Sequence, residues 1–137
     1  LPTVEGAVND ILAQVVDFSI VFTMNGKDID THIVYDDDRI WSLELSSGME
    51  RFISSLAIRI GLMNVSNLPQ GNFLAIDEGW GTMDSENLNS VAQLFQYLKT
   101  QFQFTFVVSH IETMRDFVDT LLEIKKVDGS SSVRFSR

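Results

Sequence analysis

The sequence predicts an α/β fold in which a partial parallel sheet with flanking helices sits behind a β-rich N-terminal hairpin. Three patterns carry that expectation. Phe18, Ile20, Phe22 and Met24 alternate strictly and run into Asn25-Gly26, as a half-buried strand does when it enters a tight turn. From Gly48 the period changes, and Met49, Phe52, Ile53, Leu56, Ala57 and Ile60 fall on one helical face. Phe73-Leu74-Ala75-Ile76 and the run from Phe104 to Val108 are continuously apolar, the mark of strands buried on both faces of a helix-covered parallel sheet.

The remaining elements follow in order. Val8, Ile11 and Leu12 recur at spacings of three and four, which predicts a short helix over Glu5 to Gln14. Asp28 to Tyr35 is the return strand of the first hairpin, with His32 an ordinary strand residue on it. Asp36-Asp37-Asp38 reads as a solvated turn, because adjacent residues in one turn rarely converge on one ion. Trp41 is expected in the core. Leu68-Pro69-Gln70-Gly71 ends the long helix. Asp84 or Ser85 is placed to cap the next helix, whose Leu88, Val91, Leu94, Phe95 and Leu98 face inward. Leu121 to Val127, Asp128-Gly129-Ser130 and Ser132 to Phe135 form a terminal hairpin.

Composition bounds the function. At 137 residues the chain is about one domain long, and 45% hydrophobic against 21% charged residues supplies enough apolar side chains for a sizeable core. The formal net charge of -9 argues against a general basic coat for nucleic acid or anionic lipid. With no cysteine, disulfides and thiolate metal sites are excluded, and a cytoplasmic or nuclear setting is the default expectation. No apolar run approaches the roughly 20 residues of a membrane helix, and Leu1-Pro2-Thr3-Val4-Glu5 has no basic signal-peptide region, so the chain reads as soluble. Its start at Leu rather than Met suggests a fragment or a processed product.

In an open α/β sheet, ligands sit beyond the carboxyl ends of the parallel strands. Both apolar runs end in polar residues there: Ile76 leads into Asp77-Glu78, and Val108 into Ser109-His110. Four apolar residues followed by a carboxylate is the Walker B arrangement, in which a strand pins an Asp near a nucleotide-bound Mg²⁺. Glu78 beside it is placed to activate a water. Leu45-Ser46-Ser47-Gly48 precedes the amphipathic helix, and serine hydroxyls with free helix N–H groups make an anion site. An ordinary serine N-cap is the alternative reading of the same residues.

Taken in order, Leu45-Ser46-Ser47-Gly48-Met49-Glu50-Arg51-Phe52, then Phe73-Leu74-Ala75-Ile76-Asp77-Glu78-Gly79-Trp80-Gly81-Thr82-Met83-Asp84, then Val107-Val108-Ser109-His110 resembles the signature, Walker B, D-loop and H-loop series of an ABC-type P-loop ATPase head. The Asp-Glu-Gly-aromatic-Gly-Thr-apolar-Asp stretch is similar to the SbcC (Rad-type) branch, coiled-coil ATPases of double-strand-break repair that partner an SbcD-type nuclease. The front helix, with Val8-Asn9-Asp10-Ile11-Leu12, is similar to the point where that family's returning coiled coil enters the head.

The resemblance implies roles by position. Asp77 would hold Mg²⁺, Glu78 would be the general base for the attacking water, and His110 would contact the γ-phosphate of ATP. Ser46 and the Gly48 backbone N–H, with Ser47 between them, would grip the nucleotide of an opposing head. Asp84 would tie the two heads together, and Trp80 would pack at that interface. Two departures stand out: Ser47 replaces the usual second glycine and Met49 the usual Gln or Glu, leaving Glu50 as a candidate substitute.

No G-x-x-x-x-G-K-[ST] loop occurs in the sequence. In the resembled family that loop lies in the N-terminal half of the head, across a long coiled coil, so residues 1–137 are expected to be a single C-terminal lobe. Alone it would be inactive. The implied partners are the N-terminal Walker A lobe, a second head, an SbcD-type nuclease and DNA. An SMC-like chromosome-structuring head and a non-hydrolysing ATP-binding module remain open alternatives, with a simple metal-dependent hydrolase behind them.

Overall fold

The computed structural model describes residues 1–77, 80–82 and 86–136. Helix α1 (Pro2–Leu12) begins earlier than its periodicity suggests because Pro2 stands in its first turn, where a missing N–H costs nothing. Its Val8, Ile11 and Leu12 are buried. Strands β1 (Phe18–Asn25), β2 (Asp28–Tyr35) and β3 (Ile40–Ser42) form an antiparallel sheet in that order. Asn25 pairs with Asp28, so the turn residues are Gly26 and Lys27, and Gly26 alone takes the positive φ (65°). The acidic run does form a turn: Asp38 adopts φ 62°, and Asp37 pairs with Arg39 at 2.6 Å.

β1 is an edge strand whose outward amides are met by α1. The Asn9 side chain donates to the Ile20 carbonyl at 2.9 Å and accepts the Ile20 N–H at 2.8 Å, while Glu5 accepts the Phe22 N–H at 2.8 Å. These contacts cover the Ile20 and Phe22 positions of the edge, where an incoming strand would otherwise pair. The inner face of the sheet contributes Phe18, Ile20 and Ile33 to the core.

Helix α2 (Gly48–Val65) buries Met49, Ile53, Leu56, Ala57 and Ile60, the face its periodicity predicts. It crosses α1 closely at Gly61, where an added Cβ would lie 2.8 Å from Val8 Cγ2. Helix α3 (Leu88–Gln101) starts at Leu88 with Asn87 at its N-cap position, and buries Val91, Leu94, Phe95, Tyr97 and Leu98. Leu88 is exposed rather than inward. The expected caps Asp84 and Ser85 lie outside the described residues.

Strands β4 (Phe73–Asp77) and β5 (Phe104–Val108) run parallel, with Phe73 opposite Phe104 and Asp77 opposite Val108. They are not buried on both faces. Ile76, with Leu74 and Val107 beside it, turns to the core, whereas Phe73 (51% exposed), Phe104 (49%), Phe106 (55%) and Val108 (56%) line an open face. Phe73 and Phe104 stack there at 5.1 Å. The pair is a parallel sheet covered on one side by this chain's own helices. Strands β6 (Leu121–Val127) and β7 (Ser130–Ser136) form the terminal hairpin, whose turn residues Asp128 and Gly129 both have positive φ, as a type I′ turn requires.

Trp80 departs from its expected interface place, and Trp41 packs at the margin of the core. Trp80, in a 3-10 turn over Trp80–Thr82, is 1% exposed, with ring contacts to Phe52 of α2 at 4.8 Å and Phe95 of α3 at 5.5 Å. The turn folds the indole back beneath both helices. Trp41 is half-buried, set against the Tyr35 ring at 5.2 Å.

Candidate functional site

The parallel register aligns the carboxyl ends of β4 and β5, placing Asp77 directly opposite Val108. Asp77 is exposed at that edge. Ser109 and His110 follow β5 at the same edge, and the Ser109 hydroxyl accepts the Ile111 N–H at 3.1 Å as the chain turns away. His110 is exposed. Glu78 and Asp84 lie outside the described residues.

At the start of α2 the two serines do different work. Ser46 is nearly buried, and its hydroxyl donates to the Leu43 carbonyl. Ser47 is exposed and is the N-cap: its hydroxyl accepts the Glu50 N–H at 3.2 Å, and Glu50 Oε1 accepts the Ser47 N–H at 2.9 Å. This is a complete capping box, legible in the Ser47-x-x-Glu50 spacing. It satisfies the first and last of the four N–H groups a helix start leaves over, and leaves those of Gly48 and Met49 outside it. Glu50 Oε2 accepts from the Tyr35 hydroxyl at 2.7 Å. Both Glu50 oxygens are therefore engaged within the protein, which makes Glu50 a cap rather than a free side chain at the turn.

Burial pushes the Glu50 carboxyl up, but the Ser47 N–H, the Tyr35 hydroxyl and the Ser47 hydroxyl together hold it below the usual carboxylate range. Burial, and then the Glu50 carboxylate it faces, push the Tyr35 phenol well above its ordinary value. Tyr35 is the residue that sequence reasoning missed. Only the alternation of β2 marks its face, and nothing in the spacing points at Glu50.

The start of α2 and the end of β4 open on one groove of about 450 Å³, where Gly48, Arg51, Ser55 and Arg59 face Leu74 and Asp77. The first residue of α2, two guanidinium groups and the strand-end carboxylate thus share a wall. Arg51, Arg59 and Asp77 are its charged lining, set among Phe52, Leu56, Ile60, Met63 and Ile76. Among the described residues no group of three or more His, Cys, Asp or Glu side chains converges to hold a metal ion. A single strand-end carboxylate fits Mg²⁺ that takes its other ligands from phosphate and water, and does not fit an all-protein cage.

No family model matches the chain. The SbcC component of the SbcCD nuclease from Staphylococcus aureus is 30% identical over 118 residues, covering 83% of this chain and 12% of that protein. A structure from work on ATP-driven dimerization and DNA-stimulated activation of SMC ATPases superimposes with a TM-score of 0.80 at 16% identity, covering 99% of this chain and 84% of the other. The chain is the C-terminal part of an SbcC/SMC-like ABC ATPase head. The SMC head domain from Thermotoga maritima shares the fold of this head segment at a TM-score of 0.70 and 21% identity, covering all of this chain and 48% of that one. An uncharacterised protein, R555, of Acanthamoeba polyphaga mimivirus is 36% identical over 149 residues, covering 97% of this chain and 11% of that protein. The head segment thus spans about a tenth of the length of the curated relatives it matches. No helix among its described residues is long and apolar enough to cross a membrane.

Proposed function

We propose that residues 1–137 form the C-terminal lobe of an ATP-hydrolysing head whose ATP-driven pairing with a second head regulates an SbcD-type nuclease at broken DNA ends. The observation that carries this reading is the common edge at which Asp77 and the Ser109-His110 pair end two adjacent parallel strands. Similarity to a component of the SbcCD nuclease supports the repair branch. The fold alone is shared with SMC heads.

In this reading each residue has a defined task. Asp77 would hold Mg²⁺ at the strand end, where the ion supplies charge neutralisation for the transferring phosphoryl group. Glu78 would take the proton of the attacking water. His110 would position that water and contact the γ-phosphate. At the start of α2, the exposed Ser47 hydroxyl and the Gly48 N–H would meet the nucleotide of the opposing head. Ser46, with its hydroxyl committed to Leu43, would shape the turn from within. Asp84 would contribute to the contact between heads. Such a transition state asks mainly for positioning and charge stabilisation.

The phosphate cradle and its lysine would come from an N-terminal Walker A lobe, and this chain alone would not turn over ATP. The open apolar face of β4 and β5 supports docking of that lobe. In the assembled head, Glu78→Gln is expected to keep ATP binding and to lower turnover by about 10²–10⁴-fold, the usual worth of a general base. Binding is read by nucleotide fluorescence and turnover by phosphate release. Full turnover by the variant would remove Glu78 as the base.

A further inference from the structure

We propose that Tyr35 is a positioning residue for the turn at the start of α2: its hydroxyl anchors Glu50, and Glu50 in turn holds the Ser47 backbone N–H in place. The importance of that turn to catalysis rests on the ATPase reading above, but the anchoring itself does not.

A capping-box glutamate ordinarily lies on the surface, where its carboxylate exchanges easily between the backbone N–H and water. Here the carboxylate is fixed at both oxygens, by Ser47 N–H at 2.9 Å and by Tyr35 OH at 2.7 Å. Rotating it away would break two charge-assisted hydrogen bonds at once. The donor is itself immobile. Tyr35 ends β2 opposite Phe18, its ring lies 5.5 Å from Phe18 and 5.2 Å from Trp41, and the Arg39 guanidinium sits 5.0 Å from its centre. β1, which begins at Phe18, is in turn held by Asn9 and Glu5 of α1. A phenol of the front sheet thus reaches the capping box at the first turn of α2.

The consequence is geometric. With the Ser47 and Glu50 N–H groups occupied, the Gly48 and Met49 N–H groups are the first-turn donors left outside the capping box, and Gly48 lines the groove shared with Asp77. Tyr35 sets the direction of those donors without touching the groove itself. Loss of its hydroxyl would let Glu50 rotate and the turn fray, while the ring contacts remain.

The test uses the full-length parent protein as wild type, Tyr35→Phe, Glu50→Ala and the double variant. Two quantities are read: amide exchange at Ser47 and Glu50 without nucleotide, and kcat and KM for ATP. Tyr35→Phe is expected to speed exchange at both amides about tenfold, in keeping with the loss of one hydrogen bond to a charged group. It is expected to lower kcat by a similar factor with KM for ATP unchanged. On the Glu50→Ala background the same change should add nothing, a non-additivity that loss of general packing would not produce. Unchanged exchange in Tyr35→Phe, or additive effects in the double variant, would overturn the proposal. If Glu50→Ala fails to fold, exchange in Tyr35→Phe decides alone. A wild-type protein without ATP turnover would sink the ATPase reading, while the exchange data would still decide for or against the anchoring.

Discussion

Trp80 shows how a single side chain ties the candidate site to the core. It follows the Asp77 edge by three positions, yet its indole lies under α2 and α3, between Phe52 and Phe95. Phe95 continues the series to Phe117 at 6.0 Å, in the segment after His110. One aromatic row thus joins α2, the turn after β4, α3 and the segment that ends at Phe117. Trp80→Ala would empty the centre of that row, and large-to-small changes of this kind cost about 3–5 kcal/mol. A denaturant melt of the variant should show a loss of that size, whereas a residue reserved for contact between heads would leave the melt unchanged. The flanking Gly79 and Gly81 made Trp80 look like an exposed interface residue in the sequence; the burial follows from a turn that local composition does not specify.

At the level of elements, the close crossing of α1 and α2 depends on Gly61. A methyl group there would lie 2.8 Å from Val8 Cγ2 and 3.3 Å from the Val8 backbone nitrogen, and a short β-branched side chain has little room to yield. Gly61→Ala gains about 1 kcal/mol of helix propensity but incurs about 1–3 kcal/mol of overpacking. The expected net result is a destabilisation of about 1 kcal/mol in urea unfolding; a stabilised variant would show that the helices separate freely.

The α2 face, both hairpins and the two parallel strands were legible in the sequence because each obeys one local period or one turn dipeptide. The paired strand ends Asp77 and Ser109-His110 were legible for the same reason, as polar residues that close apolar runs. Three features were not. The start of α1 depended on Pro2, which periodicity ignores. The half-open state of β4 and β5 depended on how many faces the chain's own helices can cover, and an apolar run reads identically whether its cover is inside or outside the chain. The Tyr35–Glu50 contact joins residues 15 apart through tertiary packing, which no spacing records.

Among the described residues, two groups of exposed apolar side chains lie on sheet faces. Phe73, Phe104, Phe106 and Val108 line the open face of the parallel pair, and Leu122, Ile124, Val133 and Phe135 lie on one face of the terminal hairpin, opposite one another across its strands. Contiguous apolar exposure of this kind marks an interaction surface. It accounts for a chain that is long enough for one domain yet leaves its sheet uncovered. Kept apart from a complementary lobe, the chain is expected to self-associate, and Phe106→Lys should reduce that tendency; a wild-type monomer in sedimentation at high concentration would count against it.

In the proposed head, this chain supplies the water-activating and opposing-head residues but not the phosphate cradle. Steady-state ATP turnover tests it most directly, measured for this chain alone, for the N-terminal lobe alone and for the two combined. Turnover is expected only in the mixture. Equal turnover by this chain alone, or none in a mixture shown to have assembled, would contradict the claim.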